Sequence, residues 1–204
     1  MDYQEYIQYR NRVLQWLEPR LNEHRMVHTL GVEFLGVMLA RKFDEDYQLA
    51  SLSALLHDNA KYLPIEKQLA ICKANFPKKM ELTMEYASVL HAFAGAVCAK
   101  EAFPDLGEEV YNAICYHTTG RPDMSGIEKI IYLADYAEPS RPLFEGIEQA
   151  RSIIREDLDE GMRFVLTQTS NYVQMRGKKV HPLTTRTLSY YQIDFAKSSN
   201  KRSK

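Results

Sequence analysis

The stretch Leu49-Ala50-Ser51-Leu52-Ser53-Ala54-Leu55-Leu56-His57-Asp58-Asn59-Ala60-Lys61 decides the fold class. Leu49, Leu52, Leu55 and Leu56 recur at helical spacing, so the segment reads as a helix that is apolar toward its start and meets His57 and Asp58 at its end. The same period runs outward from it, through Leu30, Phe34, Val37 and Met38 and, further back, through Tyr6, Tyr9, Val13, Trp16 and Leu17. Convincing two-residue alternation is absent, which leaves no strand to expect. Breaks fall at Pro19, at Phe43 to Asp46, at Pro64, at Phe76 and Pro77, at Pro104, at Gly120 to Pro122 and from Pro139 to Pro142. The expectation is an all-α, single-domain helical bundle of roughly eight helices. With 204 residues, one buried core fits better than two. The domain is set at residues 1–196, and the Lys, Arg, Ser and Asn of residues 197–204 read as a basic tail that frays into solvent.

Lys and Arg number 26 against 27 Asp and Glu, so the net charge of -1 provides no global field that would draw in nucleic acid. A polyanionic ligand must therefore be held by local cations. The three cysteines, Cys72, Cys98 and Cys115, form no C-x-x-C pair and are odd in number, which argues against a disulfide framework and for a reducing cytoplasm. The N-terminus carries Asp2 and Glu5 without the apolar core of a signal peptide, and the most apolar stretch, Gly36 to Ala40, is too short to span a bilayer. Neither secretion nor membrane insertion is expected.

His57 and Asp58 are helix neighbours whose side chains point about 100° apart. One ion at that face could take the imidazole while the carboxylate reaches across to a second, which is how a bridging ligand arises. His28, His91 and His117 each lie on, or at the end of, a separate predicted helix with apolar neighbours. Asp135 falls late on a helix that begins with a Ser125–Glu128 capping box and ends at Pro139. Each histidine alone reads as a core residue bonded to backbone; four with two aspartates form a metal set. Imidazoles and carboxylates together suit zinc, iron, manganese, cobalt or nickel better than calcium. Two such ions, about 3.5 to 4 Å apart, activate water and stabilise both oxygens of an in-line displacement. Arg25, Lys61, Arg121 and Arg141 stand close in sequence to the ligands and favour phosphate over a carbonyl substrate. Thr118, Thr119, Gly120 and Arg121 directly follow His117, where hydroxyls, amides and a guanidinium could border the site, or simply form a turn. Tyr136, next to Asp135, is a further candidate substrate contact. Glu138, at i+3 from Asp135, is a candidate second acceptor behind the ligands, or equally a residue that only ends its helix. His24 and His181 lie outside the set and read as structural or exposed.

These residues resemble the HD-domain superfamily, whose order of His, His-Asp, two further His and Asp matches His28, His57-Asp58, His91, His117 and Asp135. The phrases His24 to Val32, Leu55 to Lys61, Tyr116 to Pro122 and Ile130 to Arg141 narrow the resemblance to the YqeK-type family of bacterial symmetrical bis(5'-nucleosyl)-tetraphosphatases, over about residues 22–182. The resemblance implies a two-metal site, iron by family likeness, that cuts diadenosine tetraphosphate into two ADP by attack of a bridging hydroxide on phosphorus. On that template His28, His57, Asp58 and Asp135 hold one ion and Asp58, His91 and His117 the other. Asp58 and Lys61 take catalytic parts. Arg25, Lys61, Thr118, Thr119, Gly120, Arg121, Tyr136 and Arg141 contact the substrate. A small-molecule dinucleoside polyphosphate is then the partner, without nucleic acid or membrane, and a homodimer stays open. The segment His91-Ala92-Phe93-Ala94-Gly95 departs from many relatives in lacking a proline shortly after the histidine, which touches the local shape beside His91.

Two other classes compete. Another HD phosphohydrolase would share the metal set but act on a nucleoside mono- or triphosphate. A metal-dependent nucleotide-binding module without turnover would not need all six groups, and a purely structural helical domain leaves them unexplained.

Overall fold

The computed structural model describes residues 1–193, so the tail read from residue 197 onward lies outside the described residues. Ten α-helices and two short 3-10 turns follow one another, and no strand occurs among the described residues. They are α1 (Tyr3–Leu17), α2 (Glu23–Lys42), α3 (Tyr47–Leu56), α4 (Ile65–Asn75), α5 (Ala87–Ala102), α6 (Glu108–Tyr116), α7 (Gly126–Ala137), α8 (Ile147–Glu156), α9 (Leu158–Met175) and α10 (Pro182–Tyr190). The expected all-α architecture holds, with ten helices in place of roughly eight. The added division between α8 and α9 needs neither proline nor glycine: Asp157 stops one helix and caps the next by accepting from the amides of Asp159 and Glu160.

α3 is the axis of the molecule. Every residue from Ala50 to Leu56 is buried, and the helix packs against α1, α2, α6 and α7. One apolar cluster, with Leu52, Leu55, Leu56, Phe93 and Ile114, lies on one side. A second, with Val32, Ile131, Leu133 and Leu166, lies on the other. Tyr47 and Leu49 touch both. A buried polar chain fastens three helices: Arg10 of α1 forks onto Glu33 of α2 at 2.6 Å through two nitrogens, Ser51 of α3 donates to Glu33, and Tyr6 donates to Ser51. Each charge in the chain has a partner, which is the condition for burying it.

A longer apolar stretch than Gly36 to Ala40 occurs among the described residues. The span from Lys78 to Ala102 is long and apolar enough to cross a membrane by length and composition alone, yet half of its apolar 18-residue window is buried inside the protein. Its regular part is α5, whose 16 residues fall short of the about 20 that a spanning helix needs.

Candidate metal centre

Five helices deliver six side chains to one point. His28 lies in the second turn of α2, His91 in α5 and Asp135 in α7. α3 ends at Leu56, so His57 is its C-cap and Asp58 begins the following turn, closed by the Lys61 amide donating to the Asp58 carbonyl at 2.9 Å. His117 caps α6 in the same way. The chain then leaves through Gly120, whose φ of +62° suits glycine and whose amide returns to the Tyr116 carbonyl at 2.8 Å. The Ser125–Glu128 capping box starts α7 as expected.

Each imidazole is oriented from behind. His57 Nδ1 lies 2.6 Å from the Ala54 carbonyl and His117 Nδ1 lies 2.7 Å from the Ile114 carbonyl. Carbonyls only accept, so the proton sits on Nδ1 and the Nε2 lone pair faces inward. His28 donates from Nδ1 to Glu138 Oε1 at 3.0 Å, which fits the reading of Glu138 as a second acceptor. Glu138 is 1% exposed, and Ser140 adds an amide and a hydroxyl to its carboxylate. Gly31, three residues past His28, makes room for it, because a Cβ there would stand 2.3 Å from Glu138 Oε2. From α8, Arg151 bonds the Ala137 and Glu138 carbonyls at the open end of α7.

The two oxygens of Asp58 face different histidines. Oδ2 lies 3.5 Å from His57 Nε2 and 3.9 Å from His28 Nε2. Oδ1 lies 3.1 Å from His91 Nε2 and 3.7 Å from His117 Nε2. Asp135 Oδ1 stands 3.0 Å from His28 Nε2 and 3.9 Å from His57 Nε2. Three overlapping groups could each hold an ion: His28, His57 and Asp58; Asp58, His91 and His117; and His57, His117 and Asp135.

Burial would raise the carboxyl of Asp58, but the imidazoles of His57, His117 and His91 outweigh it and hold the group well below the usual carboxylate range. Asp135 behaves alike, with burial opposed by His28, His57 and Arg141. His91 is pushed down to about 4, first by burial and then by the Lys61 ammonium beside it, against the pull of Asp58. The acids are thus anionic and His91 is neutral at pH 7, the protonation that metal coordination requires. His28 Nε2, His57 Nε2 and Asp58 Oδ1 are buried without a hydrogen-bond partner. Orphaned polar atoms of this kind cost about 1–3 kcal/mol each. Divalent cations on the two sides of Asp58 would satisfy all three, so the donor set fits metal.

The cations divide. Arg25 donates to Asp58 Oδ2 at 2.8 Å, and Arg141 donates to Asp135 Oδ1 at 2.8 Å and to its carbonyl at 2.7 Å. Lys61 Nζ lies 3.0 Å from His91 Nε2 and 3.5 Å from Asp58 Oδ1. All three side chains are partly exposed, whereas those of His57 and Asp58 are not. Arg121 goes elsewhere: it forks onto the buried Glu128 with two bonds of 2.7 Å and lies over the Tyr116 ring. In the same loop the Thr119 hydroxyl donates to the Gly120 carbonyl, and a Cβ at Gly120 would meet Thr187 of α10 at 2.9 Å. Thr118 Oγ1 is buried without a partner. Tyr136 stacks edge-to-face with Phe144 at 5.4 Å. His24 is exposed, and His181 is the buried N-cap of α10. Sequence reasoning passed over Gly31, Ser140 and Asn59. Of these, the mid-helix glycine so close to His28 was the one available signal.

A family model described as HD domain matches residues 25–140, a span that contains all six residues. The chain is 35% identical over 185 residues to a protein of Halalkalibacterium halodurans named bis(5'-nucleosyl)-tetraphosphatase, symmetrical, covering 91% of this chain and 98% of that one. A Bacillus subtilis protein of the same name is 33% identical, covering 89% of this chain and 96% of that one. A crystal structure from Clostridium acetobutylicum, described as an HD superfamily hydrolase involved in NAD metabolism, is 36% identical with a TM-score of 0.81, over 89% of this chain and 96% of that one. With its motif order, its helical architecture and these matches agreeing, the chain belongs to the HD-domain family.

Proposed function

We propose that this chain is a symmetrical bis(5'-nucleosyl)-tetraphosphatase that hydrolyses diadenosine tetraphosphate to two ADP with two divalent ions. The observation that carries this is the division of Asp58: one carboxylate oxygen faces His28 and His57, the other His91 and His117. His28, His57, Asp58 and Asp135 would hold one ion, and Asp58, His91 and His117 the second, with iron favoured by likeness and manganese, cobalt, nickel or zinc compatible with the donors. Such ions supply Lewis acidity that lowers the pKa of water and neutralises phosphoryl oxygens.

The protein's own residues do the rest. Arg25, Lys61 and Arg141 rim the open side of the site, where three cations counter the charge of a tetraphosphate and hold its central phosphorus in line. In the reaction the water oxygen bonds to one central phosphorus, the bridging P–O bond breaks, and the departing ADP leaves with the bridging oxygen. Lys61 neutralises charge on the phosphoryl oxygens beside His91. Thr118 offers its hydroxyl to the phosphate chain, while Thr119, Gly120 and Arg121 shape the loop, braced by Glu128 and α10. Tyr136, paired with Phe144, offers a stacking surface for a nucleobase next to Arg141. The reading takes the chain as a single domain that works in the cytoplasm on a small-molecule substrate. The product ratio tests it: ADP as sole product from diadenosine tetraphosphate is expected, and AMP with ATP would exclude the symmetrical cut.

A further inference from the structure

Asn59 follows the Asp58 carboxylate directly in sequence, and its amide is spent on two carbonyls. Nδ2 donates to the Leu56 carbonyl of its own turn at 2.7 Å and to the Gly95 carbonyl of α5 at 2.9 Å. The side chain is buried, with the residue 5% exposed. Both partners only accept, so the NH2 end of the amide must point at them. Gly95 stands one turn beyond His91 on the same face of α5. A Cβ at Gly95 would come within 3.2 Å of Asn59 Nδ2, so glycine there lets the helix approach the turn this closely. α5 also runs unbroken through His91, which answers what the absent proline left open about its shape.

We propose that Asn59 is a positioning residue that clamps the His57–Asp58 turn to α5 and thereby sets the spacing of Asp58 Oδ1 and His91 Nε2, now 3.1 Å. This rests on the two-ion reading above. The clamp acts on one side only. His28, His57 and Asp135 are held by Glu138, by the Ala54 carbonyl and by Arg141, none of them on α5. The second position needs His91, and apart from the contacts that His91 itself makes with Asp58 and Lys61, α5 is bonded to the turn through the Asn59 amide. Loss of the clamp therefore releases the second ion and spares the first.

Two substitutions separate this role from simple packing. Asn59→Ala removes the amide. Asn59→Asp keeps its shape, adds negative charge that would by itself favour a cation, and turns both donated bonds into oxygen–oxygen contacts. Ser53→Ala, which deletes a buried α3 hydroxyl without a partner, is the packing control. The intact chain and each variant would be stripped with EDTA, reloaded with manganese, and assayed for manganese per chain and by electron paramagnetic resonance, with circular dichroism to verify folding. The intact chain and Ser53→Ala are expected to carry two ions with an exchange-coupled spectrum. Both Asn59 variants are expected to carry one, with the six-line signal of an isolated ion and with Asp no better than Ala. Asn59→Asp holding two coupled ions would overturn the clamp, and so would variants that lose both ions together. An intact chain that takes up fewer than two ions would instead sink the two-ion reading, a failure distinct from that of the clamp.

Discussion

Replacing Glu138 by Gln tests whether the back side of the site governs its front. Glu138 Oε1 accepts from His28 Nδ1 at 3.0 Å and from the Ser140 hydroxyl at 2.8 Å, and Oε2 accepts from the Ser140 amide at 2.5 Å. A glutamine of the same shape has one accepting end. Whichever way it turns, either His28 or the Ser140 amide faces an NH2 group, and the negative charge that raises the basicity of the His28 lone pair is gone. An orphaned buried donor costs about 1–3 kcal/mol, and losing such a partner of a metal-binding histidine typically weakens metal affinity by about 10- to 100-fold, or roughly 1.4 to 2.8 kcal/mol. Titration of EDTA-stripped protein with manganese in a calorimeter reads this directly, and a dissociation constant within twofold of the intact chain would refute the reasoning. Gly31→Ala provides an independent route to the same bond. Its Cβ would stand 2.3 Å from Glu138 Oε2, so it should push the carboxylate off His28 and reproduce the loss with both partners of the bond unsubstituted.

Asp58→Ala is expected to abolish hydrolysis of diadenosine tetraphosphate while helicity by circular dichroism persists, since the residue faces both histidine sets; measurable turnover at the rate of the intact chain would end the two-ion proposal. Arg121→Ala should act on stability, because it leaves the 1%-exposed Glu128 without its guanidinium, and an uncompensated buried polar group costs about 1–3 kcal/mol; an unmoved melting temperature paired with a raised KM would instead restore Arg121 to the substrate. The metal-free chain should lose stability on acidification in a defined window. His91 titrates near 6.5 when unfolded and near 4 when folded, so its contribution is complete above about pH 6.5 and drains away as the pH falls to about 4; Asp58 and Asp135, held low in the fold, add losses of the same sign below that. A melting temperature of the EDTA-treated protein that stays flat from pH 7 to pH 4.5 would contradict a buried neutral His91.

What the sequence disclosed and what it concealed divide along a physical line. α3 was legible because three turns of leucine announce a buried helix, and the six candidate ligands were legible because polar groups on apolar helices require an explanation that local structure does not supply. The tautomers of His57 and His117 were not read from the sequence, although each is fixed locally by the carbonyl three residues earlier. Long-range partners were not legible. The Asn59 amide meets a carbonyl 36 residues away, and the Thr119 carbonyl meets a hydroxyl 68 residues away. The four cations near the ligands show the consequence most clearly. Arg25, Lys61, Arg121 and Arg141 read alike in sequence, one positive charge each beside a ligand. Their acceptors separate them: Asp58 for Arg25, His91 and Asp58 for Lys61, Asp135 for Arg141, but Glu128 for Arg121. The first three pair with groups of the candidate metal set itself, so a cation that took over Asp58 and Asp135 would leave the charge of Arg25, Lys61 and Arg141 free to face an entering anion. Arg121 is matched one-to-one by a buried carboxylate outside the site, leaving little net field to offer a phosphate. Proximity in sequence nominated four cations; the partner each finds in the fold sets Arg25, Lys61 and Arg141 against the candidate metal ligands and Arg121 in the loop.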